Sequence, residues 1–588
     1  MTQGQLSGQM QGWSPQQQEQ FRRRMAVVVV GLLIASMVVL VRLASFQRPL
    51  DPEANAYLQN LRDAGYQQTL QLGSARGSIY DRNGEPLAVN MLEYSVGISP
   101  NLVNEPQVVA RQLSAELGLN ELSTFNALST DLPWVGLADE VSAEVGQRLR
   151  ALDIFGLTME ARPRRSYPQG TLAAHVVGFV GANGVGYFGV EGYYNDQLSG
   201  EVRERQVSNI PFELPLVDWQ PDRGADIVLT IDRDVQYIVE TELAAAIDRY
   251  NATAGTIIVM NPRSGDILGM ANWPTFDPNV YTVGVDEWRN PAISEQFEPG
   301  SIFKVVTVAA ALETGAITPD WTYNDQGVLE MGGITIRNWD RAVYGTVDTT
   351  QVLVQSLNVG VATISTLMGP TDFYRMLDAF GVGSQTNVDM EGEAAGTMFV
   401  PGDADWSESM LGTNAFGQGV AVTPLQMLTA VSAIANDGRM MRPNIVHQTI
   451  NGDRVTLIPP SGQRLISETT ARQVRDMMVA VVRDGVDGRA SVDGYTIAGK
   501  TGTAQIPTPL GYDPNDAIAS FVGFLPADDP QLSILVKLDR PNEYWGARTA
   551  APTFQRLAER LVIALEIPTD AVRAQLAQAG GSVDNIRR

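Results

Sequence analysis

One run of 17 uncharged, mostly apolar residues, MAVVVVGLLIASMVVLV from Met25 to Val41, constrains this 588-residue chain more than any other feature. At about 1.5 Å of rise per helical residue it spans ~26 Å, near the ~30 Å hydrocarbon core of a bilayer and at the lower end for a spanning helix. Arg22-Arg23-Arg24 precede it and Arg42 follows. Arginines ahead of a first apolar helix hold that end in the cytoplasm, so the body of the protein is expected outside. A cleaved signal peptide is the rival reading, but its apolar region is usually about 7–15 residues. No second run of this length follows. The expectation is a cytoplasmic disordered tail over 1–24, a single transmembrane helix over 25–45 and an extracytoplasmic remainder.

Composition then removes several functions. The formal charge is −24, from 66 Asp+Glu against 42 Lys+Arg. No basic stripe is available to neutralise phosphates, so nucleic acid is not an expected partner. There are no cysteines, which excludes disulfides, thiol catalysis and Cys-based zinc sites. With only His175 and His447, a His-rich metal site is not expected, and a serine nucleophile needs a base other than histidine. A hydrophobic share of 44% with 55 Gly and 32 Pro fits a folded, loop-rich chain too long for one core.

Residues 46–220 read as a stalk followed by an α+β pedestal. Asn83-Gly84 within RGSIYDRNGEPLAVN (76–90) signals a hairpin, and EVSAEVGQRLRAL is helical in its spacing. A second unit, 221–567, opens with the strand pattern ADIVLTID and the helix pattern VQYIVETELAAAIDRY. GTIIVMNPRSGDILGMAN reads as two strands joined by a Pro262–Gly265 turn. IASFVGFLP and LSILVKLDRP are strands, and APTFQRLAERLVIALEI (551–567) is a helix. Strands at both ends of one segment, with helices between, point to a single sheet closed by its two termini. Residues 568–588 read as a loose tail.

The chemistry is concentrated in lysine. Of the 42 basic residues only Lys304, Lys500 and Lys537 are lysines. Lysine can lose its proton when buried, whereas arginine in effect cannot. Ser301-x-x-Lys304 opens an apolar helix after Pro299-Gly300, which places an amine one turn beyond a hydroxyl. Free N–H groups at the helix start suit an oxyanion beside Ser301. Ser356 and Asn358, in SLNVG, suit a helix break that turns both side chains into a cleft.

Residues 494–501, GYTIAGKT, match the phosphate-loop pattern G-x-x-x-x-G-K-[ST]. Yet Tyr495, Thr496, Ile497 and Ala498 read as strand, and Pro507 and Pro509 forbid the long helix that such a loop requires. The better reading is an edge strand whose glycines let an extended peptide approach, with Lys500, Thr501 and Thr503 holding a carboxylate. Lys537 reads as a strand lysine guarding an exposed edge.

In their order, Ser301-x-x-Lys304, Ser356-x-Asn358 and Lys500-Thr501-Gly502 resemble the three motifs of penicillin-binding proteins and serine β-lactamases. RGSIYDRNGEPLA, RRSYPQGTLAAHVVGFVG, GVEGYYNDQLSG, FEPGSIFKV, AFGQGVAVTPLQMLTAVSAIANDG and AGKTGTAQ widen that resemblance to class B penicillin-binding proteins across most of 76–567. SLNVG, GQGVAVTPLQ and AGKTGTAQ are more similar to the FtsI-like division type than to the elongation type.

The resemblance implies an α+β multi-domain fold with an elongated pedestal (dimerisation-type) domain. A transpeptidase domain of the penicillin-binding/serine β-lactamase fold follows, an antiparallel sheet flanked by helices. It implies a serine D,D-transpeptidase that cross-links peptidoglycan stem peptides, with no cofactor and no metal. Ser301 is the implied nucleophile and Lys304 its base. Ser356 and Asn358 relay the proton and orient the donor amide. Lys500, Thr501 and Thr503 hold the terminal carboxylate, with Gly502 among the substrate-binding residues, and backbone N–H groups of Ser301 and Thr503 form the oxyanion hole. β-Lactams are implied as covalent inhibitors, and a polytopic FtsW/RodA-like glycan polymerase as a membrane partner. A carboxypeptidase or β-lactamase-type hydrolase shares the motifs, and a non-catalytic β-lactam sensor or scaffold is the remaining alternative. Gly417, Gln418 and Gly419 are placed beside the cleft without a role.

Overall fold

The computed structural model describes residues 14–47, 67–72, 75–200, 203–208, 223–281, 284–509 and 511–578. The chain divides into two compact units, one of Met1–Gly73 with Val202–Pro221 and one of Ser74–Glu201 with Asp222–Arg588.

In the first unit a 33-residue helix runs over Pro15–Gln47. It starts before the three arginines, earlier than the apolar run alone requires. Its apolar side chains are exposed (Leu33 is 64% accessible), and its best 18-residue window has a mean hydropathy of 2.7. Among the described residues it is the one helix long and apolar enough to cross a membrane. Most of the expected stalk, and residues 1–13 of the expected tail, lie outside the described residues. Strands Gln67–Leu72 and Arg203–Ser208 pair antiparallel in this unit, with Gln67 opposite Ser208.

The second unit is built on a five-stranded antiparallel sheet. Its order is Ile267–Trp273, Ala254–Met260, Leu532–Asp539, Gly511–Leu525 and Ala498–Thr508. Strands from both ends of the segment thus meet in one sheet, as their patterns predict. Both faces are covered, which explains why these strands read as near-continuous apolar runs. Ile257 and Val259 point into one core, with Phe521, Val536, Phe554 and Leu557. Their neighbours Ile258 and Met260 point into the other, with Val522, Phe524, Leu535 and the buried helix Lys304–Glu313. Helices Arg233–Tyr250 and Ala550–Ala564 supply the first layer.

A second sheet of seven strands joins pedestal residues to residues of the C-terminal segment. Ile79–Tyr80 and Pro86–Ile98 form the expected hairpin, with Gly84 at φ +87° in its turn. Ile79–Tyr80 also pairs parallel with Asp226–Leu229, which continues to Val446–Asn451. Strands Val135–Ser142 and Leu157–Ser166 flank Pro86–Ile98 over a small core of Tyr94, Val96, Ile98, Leu113 and Leu149. Arg76 and Arg165 clamp the buried Glu191 carboxylate from both sides, at 2.6 and 2.7 Å.

Two expectations need correction. Lys537 does not guard an edge. Its strand lies inside the sheet and its side chain is fully buried. Its Nζ stands 2.7 Å from both Asp539 carboxylate oxygens and 3.4 Å from Glu295 Oε2. The cross-strand neighbours Thr256 and Ser520 are small, which leaves room for the lysine stem. Asp539, two residues on, shares its face and supplies the counter-charge. The second correction is at the C-terminus, where Asp570–Gln578 is a helix and not a loose tail. Thr496 donates both N–H and O–H to Asp570 Oδ2 at 2.7 Å, and the buried Arg573 pairs with Asp528 and Asp570.

Candidate active site

Ser301 lies in the 3-10 turn Gly300–Phe303, which runs directly into the helix Lys304–Glu313. The turn is braced from behind. Gly300 N–H donates to Gly417 O at 3.1 Å. Gly417 has φ +80°, and a Cβ there would fall 2.5 Å from Gly300 O. Glu298 Oε1 accepts from Gly419 N–H at 2.9 Å, and its Oε2 accepts from Tyr512 O–H at 2.9 Å. Burial holds the Glu298 carboxyl above its ordinary range. The Gly417–Gly419 segment therefore flanks the site as a buttress.

Ser356 and Asn358 sit at the break between helices Thr349–Val354 and Asn358–Ala379. Ser356 has φ +57°, a left-handed backbone that costs a non-glycine residue on the order of 1–3 kcal/mol. That conformation turns its carbonyl and hydroxyl toward Lys304. Lys304 Nζ donates to Ser356 O at 2.5 Å, Asn358 Oδ1 at 2.7 Å and Ser356 Oγ at 3.2 Å. The Lys304 amine is thus held by the Ser356–Asn358 pair and not by Ser301 Oγ.

Lys500 arrives from the edge strand Ala498–Thr508. Its Nζ donates to Ser356 Oγ and to Thr501 O, each at 3.1 Å. The Ser356 hydroxyl is therefore shared by two amines. Both lysines are buried, and neither meets a carboxylate in these contacts. Burial, and secondarily the Lys500 charge, push the Lys304 amine well below its ordinary range. Burial pushes Lys500 down to about 7.

The edge strand packs tightly on the serine turn. A Cβ on Gly502 would fall 2.3 Å from Ser520 Oγ and 3.0 Å from Ile302. Thr503 Oγ1 accepts from Gly546 N–H at 3.0 Å. Because Lys500 lies inside a strand and no helix follows it, the phosphate-loop reading is excluded.

Ser301, Ser356, Lys500, Thr501 and Thr503 line one cavity of about 400 Å³. Neither histidine is among its lining residues. The fold adds residues that carried no signal in the sequence: Trp339, Trp545, Asp487, Arg489 and Arg548. The two indoles meet edge-on at 5.2 Å, and Trp339 Nε1 donates to Gln355 O at 3.1 Å. A π-helical turn, Val481–Gly485, forms another wall. Such turns are frequent at functional sites. Its one local signal is Gly485-Val486-Asp487-Gly488, a loop-forming run that begins at its last residue.

Residues 255–559 match the penicillin binding protein transpeptidase domain, and residues 71–210 match the penicillin-binding protein dimerisation domain. The chain belongs to the penicillin-binding protein family. It is of class B, with a dimerisation domain ahead of the transpeptidase domain. Stage V sporulation protein D of Bacillus subtilis is 34% identical to it over 90% of this chain and 84% of that protein. The peptidoglycan D,D-transpeptidase FtsI of Escherichia coli is 29% identical over 93% of each chain. Penicillin binding protein 3 of Mycobacterium tuberculosis, solved in complex with aztreonam, superposes with a TM-score of 0.67 at 31% identity. That match covers 84% of this penicillin-binding protein and 97% of the solved chain.

Proposed function

We propose that this class B penicillin-binding protein cross-links peptidoglycan by acyl transfer through Ser301. The observation that carries the reading is the Ser356 hydroxyl held 3.2 and 3.1 Å from the Lys304 and Lys500 amines at the wall of the Ser301 cavity. Two cations cannot share one hydroxyl at low cost, so at least one amine is held neutral; a neutral Lys304 keeps two N–H groups for Ser356 O and Asn358 Oδ1 and has a lone pair left to accept a proton. Neutral Lys304 takes the Ser301 proton as Oγ attacks the carbonyl of the penultimate D-Ala. The oxyanion rests on the N–H groups of Ser301 and Thr503. The C–N bond then breaks, and the departing D-Ala amine takes a proton from Ser356, which is refilled from Lys304. Asn358 orients the donor amide. Lys500, Thr501 and Thr503, with Gly502 leaving room for the peptide, hold the terminal carboxylate. The amine of a second stem peptide attacks the acyl-serine, forms the new amide and returns the proton to Ser301.

β-Lactams acylate the same serine. Intact mass spectrometry after incubation with a penicillin tests this on the wild type and on Ser301→Ala. One stable adduct on the wild type alone is expected. An adduct lost within seconds would identify a hydrolase, and none on either protein would overturn the role of Ser301.

The helix Pro15–Gln47 is the single-pass anchor, with the arginine end in the cytoplasm and the catalytic unit outside. The role is of the division type, with a polytopic FtsW/RodA-like glycan polymerase as membrane partner. Association that survives replacement of the apolar residues in 25–45 and in the pedestal would show that the polymerase does not meet the chain there.

A further inference from the structure

Charge in the cleft runs against charge in the chain. The protein carries a formal −24, yet the charged residues lining the cavity are Lys500, Arg489 and Arg548 against a single acid, Asp487. Neither arginine is locked into a short ion pair. Arg489 stands 3.8 Å from Asp487, and Arg548 stands 3.5 Å from Glu543, which is not in the cavity wall. The structural arginines Arg76 and Arg165, by contrast, are clamped on Glu191 at 2.6 and 2.7 Å. Arg489 and Arg548 side chains remain 41% and 57% exposed, so their donors are open to a ligand. They come from separate segments, Arg489 just after the π-helical turn and Arg548 from the 3-10 turn Gly546–Arg548 ahead of Ala550–Ala564. Lys500 alone answers one terminal carboxylate. A cavity with two further cations is matched to a ligand with a second negative group.

We propose that Arg489 and Arg548 read a free carboxylate on the donor peptide, upstream of its D-Ala-D-Ala end, and so set specificity for an acidic over an amidated donor. The proposal rests on the transpeptidase reading above. A planar guanidinium presents paired donors to a carboxylate, which a carboxamide answers with only one acceptor oxygen and no charge.

The test uses the full-length protein and two donor pentapeptides. They are identical except that the residue before D-Ala-D-Ala carries a free side-chain carboxylate in one and a carboxamide in the other. D-Ala release with a fixed acceptor amine gives kcat/KM for each. A preference of about tenfold for the carboxylate is expected in the wild type, as for a hydrogen-bonded charge at a partly exposed site. Arg489→Gln/Arg548→Gln should bring the ratio to near one, and Arg489→Lys/Arg548→Lys should restore part of it. Equal rates for the two peptides in the wild type would overturn the proposal without need of any variant. So would a preference that survives in the glutamine pair. Failure of the transpeptidase reading looks different: the wild type would then show no penicillin adduct on Ser301 and no D-Ala release from either peptide.

Discussion

Lys500 Nζ lies 3.1 Å from Ser356 Oγ, although the two residues are 144 apart in the chain. That contact ties the edge of the five-stranded sheet to the helix break that also holds Lys304. It joins three separate motifs in one hydrogen-bonded group, and in the proposed mechanism it sets what each lysine can be replaced by.

If Lys304 is the base proposed above, Lys304→Arg keeps a cation but removes the neutral form that accepts the proton. Acylation of Ser301 by penicillin should fall by about 10²–10⁴-fold, the usual contribution of a positioned base. Lys500→Arg keeps the charge needed for a carboxylate and should lose much less. Time-resolved intact mass spectrometry compares the two. Equal losses would remove the distinction between base and anchor.

The pH profile of acylation follows from the same pair. With Lys304 as the proposed neutral base, the rate should rise with pH through its depressed pKa and be complete well below the usual lysine range. With Lys500 as the proposed cationic anchor, its pKa pushed down to about 7 by burial, the rate should fall on the alkaline side of neutrality. Because the Lys500 charge depresses Lys304, Lys500→Gln should move the acid limb to higher pH. An unmoved limb would show that the two amines do not interact. For stability the sign is opposite to that of a salt-bridged lysine. The unfolded chain binds more protons between the depressed pKa values and about 10.4, so stability should rise with pH across that window.

Lys537 is the third lysine, and its role is structural. Lys537→Met leaves the Asp539 carboxylate, 11% exposed at its side chain, without its partner inside the sheet. Breaking a buried pair from one side costs about 3–5 kcal/mol. Denaturant unfolding should show that loss, and Lys537→Met/Asp539→Leu should recover much of it. An unchanged midpoint for the single variant would show that the pair contributes nothing to the fold.

Gly417→Ala tests the buttress behind the turn that carries Ser301. The new methyl would meet Gly300 O at 2.5 Å at a φ of +80°, so the turn carrying Ser301 must shift. A displacement of about 1 Å at a reacting group can cost on the order of 10²-fold. The penicillin acylation rate should fall by at least tenfold. An unchanged rate would show that the turn holds its place without Gly417.

Period and punctuation made much of the fold legible. The strands at both ends of 221–567, the hairpin at Asn83-Gly84, the helix after Ser301 and the break at Ser356 all follow from local pattern. The reading of Lys537 as an edge residue failed because strand order is not a local property. Asp539 on the same face was the available clue. The helix Asp570–Gln578 was missed because its anchors, Thr496 and Asp528, are more than 40 residues away in the chain.

By itself the sequence picked out the candidate residues: one serine and lysine on a helix start, a polar pair at a helix break, and a lysine on a glycine-flanked strand. These are residue types at short spacings, and short spacings are set by helix and strand geometry. Only the tertiary structure decided what surrounds them. The Trp339–Trp545 contact, the arginines Arg489 and Arg548 in the cavity wall, and the burial that depresses both amines depend on packing between distant segments. Burial and charge fields are sums over neighbours in space, and those neighbours exist only once the sheet and its helices have closed.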